Sequence, residues 1–416
     1  MAEPCVIVVD AYSTGRYIAS AWHHHFPLIH VASSAEMPAV FSSTLASELF
    51  ARQLTYSGDL EQLLAQLSGF NIAYVVCGSE YGVELTDQLA QRLALPGNNA
   101  TLAHCRRDKF AMHTQLIRHG IPCGRVYRAT TPAVARRLYA RSNLPVMVVK
   151  PLDSAGSEDV YICRDAHQVA EAAHRILGKT NLMQAQNHSV LLQEYLEGDE
   201  YVINTVSADG QHYVCDLWRS GKRRVDGERL IYDYETLLSP QHSLVGELMA
   251  YTRQVLDSLG ITWGPAHSEL ILTAAGPRLL ETAGRVSGLA NPAALDRATG
   301  HNQISLSVDA YVRPQRWGTE LGHHYQRHAH CYCVNLIAPA SLTLDQHHLL
   351  RELKELRSYH SSHFRATAGQ VRRTVDLNTS PGVVYLVHES EDQIMMDYHE
   401  LRRLENRHYH AARISA

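Results

Sequence analysis

No stretch of these 416 residues is apolar for the roughly 20 positions that a membrane-spanning helix needs. No basic surplus marks a nucleic-acid or anionic-membrane partner: the formal charge is -4 and the pI is near 6.7. The opening MAEPCVIVVDAYSTG has no basic segment, and its apolar run is too short and too β-branched for a secretory leader. The eight cysteines (Cys5, Cys77, Cys105, Cys123, Cys163, Cys215, Cys331 and Cys333) follow no framework spacing. They read as reduced thiols of a cytoplasmic protein. Internal repeats and low-complexity tracts are absent too. So are GxxxxGK[ST] and GxGxxG, which excludes two familiar phosphate loops.

What the chain has in abundance is histidine, 26 in all. His23-His24-His25 reads as an exposed polar stretch ahead of Pro27. The segment HHYQRHAHCYC (323–333) carries His and Cys but no CxxC pair, and its end alternates as a strand does. A structural zinc is not expected there. The composition, 45% hydrophobic and 19% charged, is that of an ordinary globular protein. The length exceeds one compact core, so two or three domains are expected.

Strand-like and helix-like segments alternate at the start. CVIVVD ends in Asp10 and is followed by a turn and an apolar-rich stretch. NIAYVVCGSEYG leads into VELTDQLAQRLAL, whose Val83, Leu85, Leu89 and Leu93 share a helix face. This alternation predicts a parallel α/β domain over residues 1–100, closed by the loop signal LPGNN. RRDKFAMHTQLIRHG predicts a helix that Gly120 and Pro122 end. CGRVYRAT and PVMVVKPL predict strands around a helix that begins at Pro132. LLQEYLEGDEYVINTVSADGQHYVCDLW predicts two or three strands with an A-D-G turn. HSELILT and RLLETA flank AAGP and predict a hairpin with a carboxylate on each strand. Past residue 318 the order strand, helix, strand, strand, helix predicts an α+β segment over 318–416.

Four segments carry chemistry. Lys150 ends the apolar strand VMVVK and precedes PLDSAGSEDV. An ammonium there can pair with polyphosphate oxygens, while Ser154, Gly156 and Ser157 let backbone N–H groups come close. Taken alone, a surface turn explains this segment equally well. In QEYLEGDEY the extended backbone of Glu194, Tyr195 and Leu196 can face an adenine edge, and Glu200 suits ribose hydroxyls. The competing reading is an acidic hairpin in solvent. Glu269 and Glu281 lie within apolar strands, where an unpaired carboxylate is costly. A hairpin sets them side by side, which calls for a cation between them, and hard oxygens beside phosphates select Mg²⁺. Four residues on, Arg285 offers a planar guanidinium to a transferring phosphoryl group or a tetrahedral intermediate. Singly, such acids also occur on solvated sheet faces.

The order Lys109, Lys150 with its small-residue loop, Glu194 and Glu200, Glu269, Glu281 and Arg285 resembles the ATP-grasp superfamily over about residues 100–300. The resemblance implies an α/β ATP-grasp fold. Its core would span 101–317, with a lid subdomain at about 124–192, behind an N-terminal pre-ATP-grasp domain and ahead of a C-terminal α+β segment. It also implies ATP and two Mg²⁺ ions, with Mn²⁺ able to substitute. Lys109 and Lys150 would hold the α- and β-phosphates, the 153–158 loop would close over the β- and γ-phosphates, and Glu269 and Glu281 would hold metal. In one place the chain departs from the pattern: two residues past Glu281, where many members carry an Asn ligand, it has Ala283.

VDAYSTG, CGSEYGVELTDQLA, DLWRSGKRR (216–224) and ETAGRVSG look like the L-amino acid ligases, the branch that makes dipeptides and related amides in antibiotic and toxin pathways. That resemblance implies a carboxylate–amine ligase that works through an acyl phosphate and releases ADP and phosphate. Its partners would be amino-acid substrates, without nucleic acid or membrane, and a homodimer is compatible with it. The acceptor pocket would lie near Arg285, Gly288, Leu289 and Asn291, with Ser79 or Glu80 approaching from the first domain. As an acid at a helix N-terminus, Glu80 is also explained by the macrodipole. The alternatives are an ATP-grasp carboxylase of the biotin or purine type and an ATP-binding protein without turnover. Retention of both metal carboxylates and Arg285 speaks against the last.

Overall fold

The computed structural model describes residues 3–154, 156, 158–225, 229–365 and 369–414; Ser157 lies outside them. VIVV has no polar position, as a strand covered on both faces requires, and it sits inside the first sheet. Here β1 (Pro4–Val9), β2 (Leu28–Ala32), β3 (Phe50–Thr55) and β4 (Asn71–Cys77) run parallel in the order β3-β2-β1-β4. The crossovers lead one way from β1 to β3 and the other way to β4, which opens a crevice at the carboxyl ends of β1 and β4. The segments leaving those ends meet backbone to backbone. A Cβ on Gly78 would stand 2.5 Å from the Asp10 carbonyl oxygen, and one on Gly15 would stand 2.5 Å from that of Gly78. Only glycine permits this approach, which accounts for the glycines of YSTG and CGSEYG.

The next sheet is antiparallel and covered by two helices. β5 (Val126–Ala129), β6 (Met147–Pro151), β7 (Tyr161–Cys163) and β8 (Val190–Glu194) take the order β5-β8-β6-β7. The helix Pro132–Ser142 starts where Thr131 accepts from the Val134 N–H and Pro132 fills the first turn. It packs with the helix Ala166–Ile176 over Ala129, Met147, Val149 and Leu192.

The largest sheet has eight strands, β13-β12-β9-β10-β11-β14-β18-β16. They are β9 (Asp199–Ala208), β10 (Gln211–Val225), β11 (Arg229–Leu237), β12 (Gly264–Thr273), β13 (Gly276–Ala283), β14 (His330–Asn335), β16 (Tyr359–Phe364) and β18 (Gly382–His388). β15 (Leu342–Thr343) pairs with β17 (Gln370–Val371) beside it. The expected A-D-G turn is present, with φ of 48° at Asp209 and 75° at Gly210, the left-handed geometry of a tight hairpin. Three strands beyond residue 318 extend this sheet outward from β11. Tyr201, Ile203, Leu217 and Leu270 pack with Leu248 and Val255 of the helix Val245–Ser258. Because side chains alternate, the intervening residues of β9, β10 and β12 face the other way, and that face carries the polar groups described next.

Arg106 ties the first domain to the rest. Only 1% exposed, it pairs with Asp87 of the helix Val83–Arg92 and donates to the carbonyls of Leu259 (2.6 Å) and Asn99 (2.9 Å). No helix among the described residues is long and apolar enough to cross a membrane.

Candidate active site

Strand register assembles the centre of the site. Glu281 of β13 stands opposite Glu269 of β12, and Val202 and Trp218 continue that row across β9 and β10. Two residues along, the next row on the same face is Ala283, His267, Asn204 and Asp216. A third row runs from Glu200 through Ser220, Glu235 and Cys333 to Tyr385. Directly opposed residues have Cβ atoms about 5 Å apart, so two facing carboxylates repel unless something positive lies near. Each has a polar neighbour close by. Lys109 Nζ lies 2.6 Å from Glu281, and His267 lies 3.2 Å from Glu269. Burial opposes ionisation of Glu269, and the His267 hydrogen bond together with the charges of Lys109 and Arg285 outweighs it to lower its pKa. Two hard carboxylates on adjacent strands fit a divalent ion of the Mg²⁺ type. Ala283, at the position of the expected Asn, faces His267, so an imidazole stands beside Glu269 instead.

The two lysines reach this centre from different elements. Asp108 caps the helix Lys109–Arg118 by accepting from the Ala111 N–H. The Lys109 ammonium also donates to the Ser154 carbonyl at 3.0 Å. Lys150 enters from β6. Burial, and then repulsion from Lys109, lower its pKa to about 8 against the pull of Glu281, Glu269 and Glu200. An anion beside this ammonium would raise its pKa back toward the ordinary value. In the following loop Ser154 donates to Glu158, and the Gly156 carbonyl accepts from Asn378 Nδ2 at 2.9 Å. Gly156 has φ +66° and no room for a Cβ, which would lie 2.4 Å from that carboxamide nitrogen.

Arg285 and Glu80 form a half-buried unit with Arg107. Arg285 Nε and Arg107 Nη1 each lie 2.6 Å from a different oxygen of Glu80. Burial opposes the charge on Glu80, yet Arg285 and then Arg107 hold its pKa down to about 2. Arg285 Nη1 donates to the Val286 carbonyl at 2.9 Å, and the side chain lines the main cavity. Glu80, expected either at the acceptor pocket near Arg285 or as a helix-end acid, opens the short helix Glu80–Gly82 and holds the Arg285 guanidinium.

Among the described residues a cavity of about 150 Å³ lies over the polar sheet face. Its wall includes Gly156, Glu200, Glu269, Glu281 and Arg285, and also Gly288, Leu289 and Asn291 from the expected acceptor region. Ser79 and Glu80 do not line it. Asn291 Oδ1 accepts from the Ala294 N–H as a helix cap, while its Nδ2 donates to Ser361 at 2.8 Å. A smaller cavity of about 20 Å³ beside Trp22, Asp87 and Trp263 holds a water at most. In the 194–196 segment the Glu194 N–H goes to the Arg125 carbonyl and the Tyr195 N–H to that of Val146, while the Leu196 N–H has no partner among the described residues. The Glu194 carboxylate accepts from the Arg125 backbone. Glu200 is 5% exposed, and burial raises its pKa even though Lys222 (2.6 Å) and Tyr232 (2.7 Å) hold its oxygens.

Sequence reasoning missed Lys222, Tyr232, Arg107, His267, Asn204, Asp216 and Glu235. His267 was within reach, since alternation puts it on the face of Glu269. Others reach the site through strand order, for which the chain carries no local signal.

The sequence profile of the ATP-grasp domain matches residues 142–292. Dapdiamide A synthase of Enterobacter agglomerans is 30% identical over 413 residues, 97% of this chain and 96% of that protein. The chain belongs to the ATP-grasp family. It is an ATP-dependent ligase. Among solved structures, the L-amino acid ligase of Bacillus licheniformis superposes with a TM-score of 0.74 at 17% identity, covering 96% of this chain and 97% of the other. An ADP complex of an N5-carboxyaminoimidazole ribonucleotide synthetase gives 0.70 at 15% identity, covering 98% and 97%. At such identities the two structures establish the ATP-grasp fold of this chain.

Proposed function

We propose that this ATP-grasp ligase phosphorylates the carboxylate of an amino acid, or a related acid, and joins it to the amine of a second amino acid in the cytoplasm. The observation that carries the reading is the facing pair Glu269 and Glu281 on the wall of a cavity that Arg285 also lines, with Lys109 bonded to Glu281 and Lys150 within electrostatic reach of both acids. Resemblance to dapdiamide A synthase along almost the whole chain supports an amide product over a carboxylation.

A carboxylate is a poor electrophile, and a phosphoryl group turns it into a good one. Lys109 and Lys150 would bind phosphate oxygens, and Leu196 with Glu200 would hold the nucleoside. Glu269 and Glu281 would hold Mg²⁺, which would neutralise charge on the phosphates. Arg285, fixed by Glu80, would face the charge that develops at the phosphoryl group and then at the tetrahedral carbon. The loop around Gly156, drawn onto Asn378, would keep water off the acyl phosphate. The neutral amine then attacks the acyl carbon, the C–N bond forms and phosphate leaves. A stoichiometric test decides: ADP, phosphate and amide should appear one to one, and hydroxylamine should trap a hydroxamate when the amine is withheld. AMP and pyrophosphate would refute the reading.

A further inference from the structure

The cavity wall carries more acids than a metal site requires. Five acids line it: Glu200, Asp216, Glu235, Glu269 and Glu281. Four have partners. Glu200 takes Lys222 and Tyr232, Asp216 takes Asn204 and Trp218, Glu269 takes His267, and Glu281 takes Lys109. Glu235 stands apart. It lies mid-strand in β11, 9% exposed, between Ser220 and Cys333 in register, and no hydrogen bond or ion pair reaches its carboxylate among the described residues. Burial, then Glu200, Glu269 and Asp216, push its pKa up to about 8.

A carboxyl group so placed ionises only at a cost, which a cation on the cavity side would offset. Its place on the cavity wall points to a ligand that brings a positive charge. Its neighbours in the strand row are Ser220 and Cys333 rather than a second carboxylate, which suits an organic cation better than a hard divalent ion. A primary ammonium, with three donors on one charge, needs only one carboxylate and can use the faces of neighbouring aromatics. Trp218 and Tyr385 line the same cavity.

Resting on the amide-ligase reading above, we propose that Glu235 anchors the ammonium group of an amino-acid substrate, so that the site selects zwitterions over analogues without that charge. The ammonium belongs either to the acid that is activated or to the amino acid that attacks, and two assays on the full-length enzyme with Mg²⁺ and ATP separate these. The first withholds the acceptor and measures hydroxamate from the twenty common L-amino acids, each against its desamino acid (alanine against propionate, phenylalanine against phenylpropionate). The second measures coupling with the acceptor amino acid varied. Glu235→Gln should raise the KM of one amino-acid substrate tenfold or more and abolish its preference over the desamino or uncharged analogue. The kcat and the KM for ATP should stay within twofold. A shift already present in the hydroxamate assay assigns the ammonium to the activated acid; a shift confined to coupling assigns it to the acceptor. Glu235→Asp, which keeps the charge, should keep most of the selectivity and controls for a packing defect. Glu235→Gln with unchanged KM values and selectivity, in an enzyme whose wild type forms hydroxamate, would overturn the proposal. Absence of hydroxamate from the wild type with every acid would count against the ligase reading itself.

Discussion

Arg285→Lys separates a transition-state contact from a simple charge. In the structure the guanidinium is divided: Nε is held by Glu80 at 2.6 Å, Nη1 by the Val286 carbonyl at 2.9 Å, and the remaining edge belongs to a side chain on the cavity wall. A lysine keeps the charge but has one nitrogen, so it can satisfy Glu80 or reach the cavity, not both. Glu80 retains Arg107 in the variant, so no buried acid is stranded and the fold should survive. Loss of one donor aimed at developing charge costs ~3 kcal/mol, on the order of a hundredfold in rate. It should fall on kcat, with ATP affinity by calorimetry nearly unchanged, because the contact strengthens only as the reaction proceeds. Glu80→Gln should give a smaller loss in kcat, since the guanidinium stays in place but is less firmly oriented. In the double variant the two losses should not add, because both act through one guanidinium. An Arg285→Lys enzyme that kept kcat and lost ATP affinity would make the arginine a nucleotide anchor and refute the reasoning.

Three further outcomes follow from the same geometry. Lys150 binds phosphate as an ammonium and its pKa is lowered to about 8, so ATP affinity should weaken as pH rises through 8, and Lys150→Met should flatten that profile in calorimetric titrations. For stability the sign is opposite: from about 8 to the ordinary 10.5 the unfolded chain holds a proton that the fold has released. The favourable contribution is therefore complete above 10.5 and lost as pH falls to 8. Glu281→Gln should weaken Mn²⁺ binding, read by paramagnetic resonance, and turnover with it, while melting changes little because Lys109 keeps the Ser154 carbonyl; near-normal turnover at saturating Mg²⁺ would remove Glu281 from the site. Asp87→Ala should strand the buried Arg106 charge and destabilise the protein by about 3–5 kcal/mol in denaturant titrations, an effect that a surface ion pair would not show.

Local pattern determined a good deal. The alternation of strand-like and helix-like segments over residues 1–100 implied a parallel α/β sheet, the A-D-G turn at Asp209-Gly210 implied a hairpin, and two carboxylates on strands flanking AAGP implied that Glu269 and Glu281 would face each other, as they do. All of these depend on residues close in sequence, where periodicity and turn chemistry act directly. What the chain did not disclose is long-range. Nothing near residue 330 says that β14 will pair with β11 and bring Cys333 beside Glu235, or that β18 will bring Tyr385 next to it. Nor does anything near residue 80 say that Glu80 will spend its charge on Arg285, 205 positions away. The identities of the buried acids were therefore in the sequence, but their partners were not. A carboxylate's pKa and chemistry depend on which groups lie within a few ångströms of it, and only the packed sheet decided that Glu200, Asp216, Glu269 and Glu281 have partners and that Glu235, among the described residues, has no hydrogen bond or ion pair.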